Sequence, residues 1–466
     1  MTTTSPLLQG LRLPRGAALG VLATSMFLIV LDGAMVNLAA STIRSGLGLT
    51  AAELTVVANS YLIAVAGLVL LGGRLADVLG ARRMFLIGMS VYVAASALCA
   101  LAVNGSMLIA GRVGQGLGAA LTVPAALAIV LLLYTSAAER SRAIGIWGAV
   151  SGGGSLIGVF AGGTLTEVLG WQSVFWTPVP LGIVAAVAVW RTVPPIPGRP
   201  GRFDLAGAVS ITLSISALAF SMVTAAESGW TAPPTLVALV VGLAALGAFV
   251  AAEHRSSHPL VPLSAFRRAT VATATAVMVL AGGTLTSLFF FLPLYQQDVL
   301  GMGPLMTGLA QLPIAVMIIV GSVLAPLLAK LLGLARALPV SLTVLLIGIL
   351  WIAINPATTF TWQHTGAFLL IGAGLGLGIV NGTTMAVRDS GDGESGLLSG
   401  LVNAAQSLGG AIGLAALAAI ALSAAGSTSD VSFTAAFLGG AGLVALAIAL
   451  SIIPLLSRRR TAAPTL

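Results

Sequence analysis

Two charged side chains stand in stretches otherwise fit for hydrocarbon: Asp32, in MFLIVLDGAMVNLAA (26–40), and Arg112, in the apolar run 107–133. A charge inside a bilayer is costly unless it is paired, protonated or facing a wet cavity, so chemistry is to be sought at these two positions. Counted at about 1.5 Å per residue across a core roughly 30 Å thick, Asp32 lies about 22 Å along its run. Arg112, whose run starts from the opposite face, lies about 8 Å in. The two are level. Asp32 has two readings: a carboxyl that alternates between ionised and protonated forms and so couples to a proton, or a structural acid bonded to helix termini. Arg112 is expected to meet it directly, through water or through Gln115, or else to tie to backbone carbonyls.

The elements that must hold these residues are membrane spans. Of 466 residues 58% are hydrophobic and only 7% charged, against roughly 25% charged in a soluble domain. About fourteen runs are long enough to cross a bilayer, which predicts an all-α polytopic protein. The net charge of +8 could suggest nucleic acid, but the placement of the basic residues argues against it. With both termini inside, 19 of the 21 Lys and Arg fall in cytoplasmic segments; Arg44 falls outside and Arg112 within a span. Cys99 is the single cysteine, so no intrachain disulfide and no metal-ligand spacing is available. The first apolar run is too long for a cleavable signal and is expected to stay as helix one.

Along the chain, GGRLADVLGARR (72–83) closes the second span. Its glycines permit a tight turn, Asp77 can cap the next helix or meet an arginine, and Arg82 and Arg83 hold the loop in the cytoplasm. Gly154, Gly158 and Gly162 recur every four residues in the fifth span, with Gly145 on an adjacent stripe, which lets two membrane helices pack closely. Two Pro/Gly/Arg-rich or basic connectors, near 194–207 and 253–268, divide the spans into six, two and six, with domains at 1–203, 204–256 and 257–466. The last six echo the first six: Gly400, Gly409 and Gly413 repeat the intervals of Gly145, Gly154 and Gly158, and PLLAKLLGLAR repeats the 72–83 pattern with Gly333 for Gly80. No second buried acid accompanies the echo.

Taken together, Gly73, Leu75, Ala76, Asp77, Gly80, Arg82 and Arg83 resemble the loop signature of the major facilitator superfamily. RVGQGLGAA (112–120) resembles its fourth-helix signature. LDGAMVN (31–37) resembles the first helix of the fourteen-helix drug:proton antiporters, with Ala34 in place of a threonine. Gly145, Gly154, Gly158, Gly162 and Gly163 match the antiporter signature, although Val159 stands where a proline is usual. The resemblance implies a major facilitator fold of 14 helices (6+2+6) in a bacterial inner membrane. It also implies a latch on the inner side in which Asp77 pairs with Arg82 and with Arg140 or Arg142, within a loop set of Gly73, Gly80 and Arg83, that holds the outward-facing state, and export of drugs, antibiotics or related amphipathic compounds in exchange for protons.

Polar and aromatic groups for a mainly apolar substrate cavity are Asn37, Tyr61, Gln115, Phe289, Tyr295, Asn381, Asn403 and Gln406. His254, His258 and His364 read as solvent-exposed. No cofactor is called for beyond the proton gradient, and the expected partners are a small organic solute, protons and lipid, with the chain acting as a monomer. Alternatives are uptake of a small organic solute or, in another class, a membrane-embedded transferase; the latter needs acids and histidines clustered near an interface, which these loops lack.

Overall fold

A computed structural model describes residues 14–134, 137–198, 205–256, 266–355, 359–388, 395–425 and 431–461. The described residues include fifteen α-helices. They are α1 (Arg15–Leu47), α2 (Ala51–Leu79), α3 (Ala81–Ala100), α4 (Gly105–Leu133), α5 (Ala137–Leu169), α6 (Gln172–Trp176), α7 (Pro178–Thr192), α8 (Leu205–Ser228), α9 (Pro233–Arg255), α10 (Ala269–Asp298), α11 (Pro304–Leu332), α12 (Leu334–Ile354), α13 (Trp362–Val387), α14 (Ser395–Ser423) and α15 (Phe433–Thr461). Among the described residues twelve helical spans are long and apolar enough to cross a membrane, α6 and α7 serving together as one of them. The protein is a multi-pass membrane protein.

Helix ends follow local chemistry rather than hydropathy. The apolar run of the first span stops near Ala40, yet α1 continues through Arg44 to Leu47, because backbone bonding carries on until Gly48 adopts a left-handed conformation at φ 63°. Thr50 and Glu53 then form a capping box that starts α2: the Glu53 carboxylate accepts from the Thr50 N–H at 2.8 Å and the Thr50 hydroxyl from the Glu53 N–H at 3.2 Å. The sharp joint from α2 to α3 turns at Gly80, φ 96°, and the equivalent joint from α11 to α12 turns at Gly333, φ 78°.

Two compact units divide the chain: Met1–Ser216 with Ala245–Leu260 and Gly303–Leu309, and Ala217–Ala244 with Val261–Met302 and Ala310–Leu466. In the first, the glycines of α5 seat it on the backbone of α1. A Cβ at Gly154 or Gly158 would lie 2.8 Å from the carbonyl oxygen of Phe27 or Leu31, and one at Gly162 would lie 2.6 Å from Met35 Cα. In the second unit α14 seats on α10 in the same way, Gly409 meeting the Val279 carbonyl and Gly413 meeting Gly283. The two seams share a register. Asp32 follows Leu31 as Thr284 follows Gly283, so Thr284 stands at the acid's place in the second unit, buried and donating to the Leu280 carbonyl at 3.0 Å.

Candidate functional site

Four helices of the first unit converge on Asp32. The α5 glycines fix the rotation of α1 through Phe27, Leu31 and Met35, which sets the direction of its neighbour Asp32. Helix α4 approaches α3 and α2 through glycines of its own. A Cβ at Gly118 would lie 2.6 Å from the Tyr92 nitrogen on α3, and one at Gly116 would lie 2.6 Å from the Tyr61 carbonyl oxygen on α2. Larger residues there would push away the helices that carry Tyr92 and Tyr61.

At the centre the Asp32 side chain is wholly buried and that of Arg112 is 4% exposed. Arg112 Nη1 donates to Asp32 Oδ2 at 3.3 Å and to Gln115 Oε1 at 2.8 Å. Gln115 Nε2 in turn donates to Asp32 Oδ1 at 3.3 Å and to Ser96 Oγ at 2.8 Å. The guanidinium carbon sits 4.4 Å from the centre of the Tyr61 ring, a cation–π distance. Cys99 packs behind, its thiol 3.7 Å from Gln115 Oε1. The Tyr92 hydroxyl faces the carboxyl from α3. Such a carboxyl can hold its charge against the arginine or give it up to a proton, with the amide of Gln115 bonded to both groups.

Asp32, Arg112 and the bridging Gln115, level by their depth along the chain, meet in the structure. Reading the sequence missed Ser96, Cys99 and Tyr92 as neighbours. Their signal is spacing, since 92, 96 and 99 fall on one stripe of α3.

Elsewhere the expected constellations differ. Asp77 lies within 4.0 Å of Arg74, one turn away on the same helix, while Arg82 donates to the Trp190 carbonyl at the end of α7 at 2.5 Å. The expected pairing of Asp77 with Arg82 is thus replaced: across the Gly80 turn Arg82 finds a helix end whose carbonyls lack partners, a better site for a cation than an exposed acid. Arg83 is exposed and Gly73 packs near Pro124. The side chains of Arg142 and Arg140, and the surroundings of Gly145, lie outside the described residues. Gly163 faces the first turn of α11, part of the same unit.

Of the expected cavity residues, Tyr61 and Gln115 belong to the Asp32 cluster. In the second unit Tyr295 is buried in an aromatic group, 5.8 Å from Phe433, 5.7 Å from Phe437 and 6.2 Å from His364, ring centre to ring centre. His364, expected in solvent, is buried instead: its Nδ1 accepts from the Thr361 N–H at 3.0 Å to cap α13, and its ring stacks on Phe360. An unfilled helix start and a flat apolar ring reward burial more than water does. Asn381 donates to Ser341 Oγ at 3.1 Å. Asn37, Phe289 and Gln406 are half-buried and Asn403 is exposed.

The Major Facilitator Superfamily model matches residues 22–414. The chain belongs to that superfamily. It is similar to the cephamycin export protein CmcT of Amycolatopsis lactamdurans, with 36% identity over 95% of this chain and 93% of that one. The methylenomycin A resistance protein of Bacillus subtilis is 30% identical over 85% of each chain. The puromycin resistance protein pur8 of Streptomyces alboniger is 35% identical over 85% of this chain and 80% of its own. Among solved structures the peptide-transporter-family protein PepTSo shares the fold at a TM-score of 0.71 and 16% identity, covering 95% of this chain and 98% of that one. The nucleoside transporter NupG does so at 0.67 and 12%, covering 94% and 99%. As a superfamily member the chain is a transporter of small organic solutes and not an enzyme.

Proposed function

We propose that this chain exports an antibiotic or related amphipathic compound from a bacterial cytoplasm in exchange for a proton, by alternating access. The observation that carries the reading is the wholly buried Asp32 held against Arg112 and Gln115. Outside the bilayer such a pair would be unremarked; within it, a carboxyl that takes a proton from the outer side and releases it inside is the means of coupling. The names of the cephamycin, methylenomycin and puromycin relatives support the substrate class. Fourteen crossings in the order six, two and six, with both termini in the cytoplasm, the inner membrane as location and a monomer as the working form, complete the proposal. The proton gradient is its energy source.

The energetics suffice. One unit of pH is worth about 1.4 kcal/mol per proton and 100 mV about 2.3 kcal/mol per charge. One proton can therefore sustain roughly a few-hundred-fold gradient of a neutral solute.

Bacterial cells expressing the chain should tolerate at least one of puromycin, a cephamycin or methylenomycin at several-fold higher concentration than control cells, and Asp32→Asn should abolish the difference at equal membrane abundance. Full resistance in the Asn variant would end the coupling assignment. Everted vesicles separate export from uptake: acidifying the lumen should drive the compound inward, and an exit of preloaded compound under the same gradient would favour uptake by the cell.

A further inference from the structure

A guanidinium is charged at every pH a cell meets, and that of Arg112 is buried. In proton antiport Asp32 is neutral for part of every cycle. A lone guanidinium in hydrocarbon is the costly species at that moment. Its surroundings meet that need. The short bond of Arg112 Nη1, 2.8 Å, goes to the uncharged Gln115 Oε1, whereas the same nitrogen stands 3.3 Å from the Asp32 carboxylate. Guanidinium-to-carboxylate bonds ordinarily run to about 2.7–2.9 Å. The Tyr61 ring lies under the guanidinium at 4.4 Å, and Arg112 Nε has no hydrogen-bond partner. The arginine is shared, its shorter hydrogen bond going to the neutral amide and not to the acid.

We propose, resting on the antiport reading, that Tyr61 and Gln115 form a second seat for the Arg112 guanidinium, which competes with Asp32 for it and holds it while the carboxyl is neutral. Tyr61 then acts as a positioning residue. Gly116 brings the Tyr61 backbone against α4, and Ser96 fixes the amide of Gln115 so that its oxygen points at Arg112. Because the seat is uncharged, its hold on the arginine does not vanish when the carboxyl is discharged. Among the described residues the titratable groups that bear on this carboxyl are Arg112 from α4, Tyr61 from α2, and Tyr92 and Cys99 from α3. Helices α5, α6 and α7 also pack on α1. Their described titratable side chains, Glu139, Glu167 and Arg191, stand at helix ends far from the acid's level.

Infrared titration of the purified full-length protein tests this without a substrate, through the protonated-carboxyl band that Asp32→Asn removes. Tyr61→Phe keeps the ring and should leave the titration midpoint unchanged. Tyr61→Leu removes the competitor, lets Arg112 settle on Asp32, and should move the midpoint to lower pH by about one unit. Tyr61→Met, of intermediate shape, should shift the same way and carries the test where the Leu variant does not fold. Replacing Gln115 is not diagnostic, since its amide touches both groups. Equal midpoints in the Phe, Leu and Met variants would overturn the seat, as would a Phe variant that shifts as far as Leu, or weakened drug affinity with no shift at all. A spectrum in which Asp32→Asn removes no titrating band would instead remove the coupling reading beneath it.

Discussion

Arg112→Lys keeps the charge at position 112 but not the shape that uses it. A guanidinium can bond Gln115 and Asp32 in its plane while lying flat on the Tyr61 ring, whereas an ammonium is a compact, strongly hydrated point charge. The expected outcome is a protein of near-normal abundance and thermal stability whose drug efflux falls by about tenfold or more, the equivalent of one lost interaction of about 1.4 kcal/mol in the working cycle. Efflux assays beside a thermal-unfolding scan of the purified variant check both halves. The level match of Asp32 and Arg112 was legible in the sequence because rise per residue is fixed by helix geometry. The stripe of Tyr92, Ser96 and Cys99 was not, since helix rotation is set by packing partners, and small polar groups on an apolar helix look like ordinary filling. His364 was misread for a related reason: a histidine near a helix start can as readily cap the backbone as face water.

Helix packing explains why Asp32 and its partners stay aligned. Gly158 is closed to any side chain by the Leu31 carbonyl oxygen at 2.8 Å from a would-be Cβ, but Gly153, five residues earlier on the same helix, has open space around it. Gly158→Val should therefore lower stability by a few kcal/mol and depress efflux, because α1 must move and carry Asp32 with it. Gly153→Ala should leave both unchanged or gain up to about 1 kcal/mol from helix propensity. Thermal melts in detergent and efflux rates for the pair distinguish seam packing from a general intolerance of side chains in α5. This seam was readable as a four-residue glycine interval, and so was its copy at Gly409 and Gly413. What the interval could not name was the opposing helix, since a glycine stripe announces a close neighbour without saying which. Helix α1 outruns its apolar stretch because hydropathy measures fit to lipid, while the backbone runs on until Gly48 stops it.

Across the whole chain the charge inventory sets the electrical character of transport. One proton exchanged for one neutral molecule moves a net charge, and each 100 mV then contributes about 2.3 kcal/mol. In liposomes, efflux of a neutral substrate should quicken with an inside-negative potential and produce a measurable current, whereas exchange of a monovalent cation should be insensitive to voltage. Voltage-independent exchange of a neutral compound would contradict one-proton coupling through Asp32. The fold family was readable from the signatures at 72–83 and 112–120; the pairing of Arg82 with Trp190 was not, because an arginine at a helix junction has several helix ends within reach. Thr284, seated in the second unit where the first carries its acid, has a final consequence. The second seam holds a hydroxyl where the first holds a carboxyl, so a capacitive transient recorded on protonation, with no drug present, should vanish when Asp32 alone is neutralised, and an acid installed at Thr284 should be the shortest route to a pump that draws on two protons.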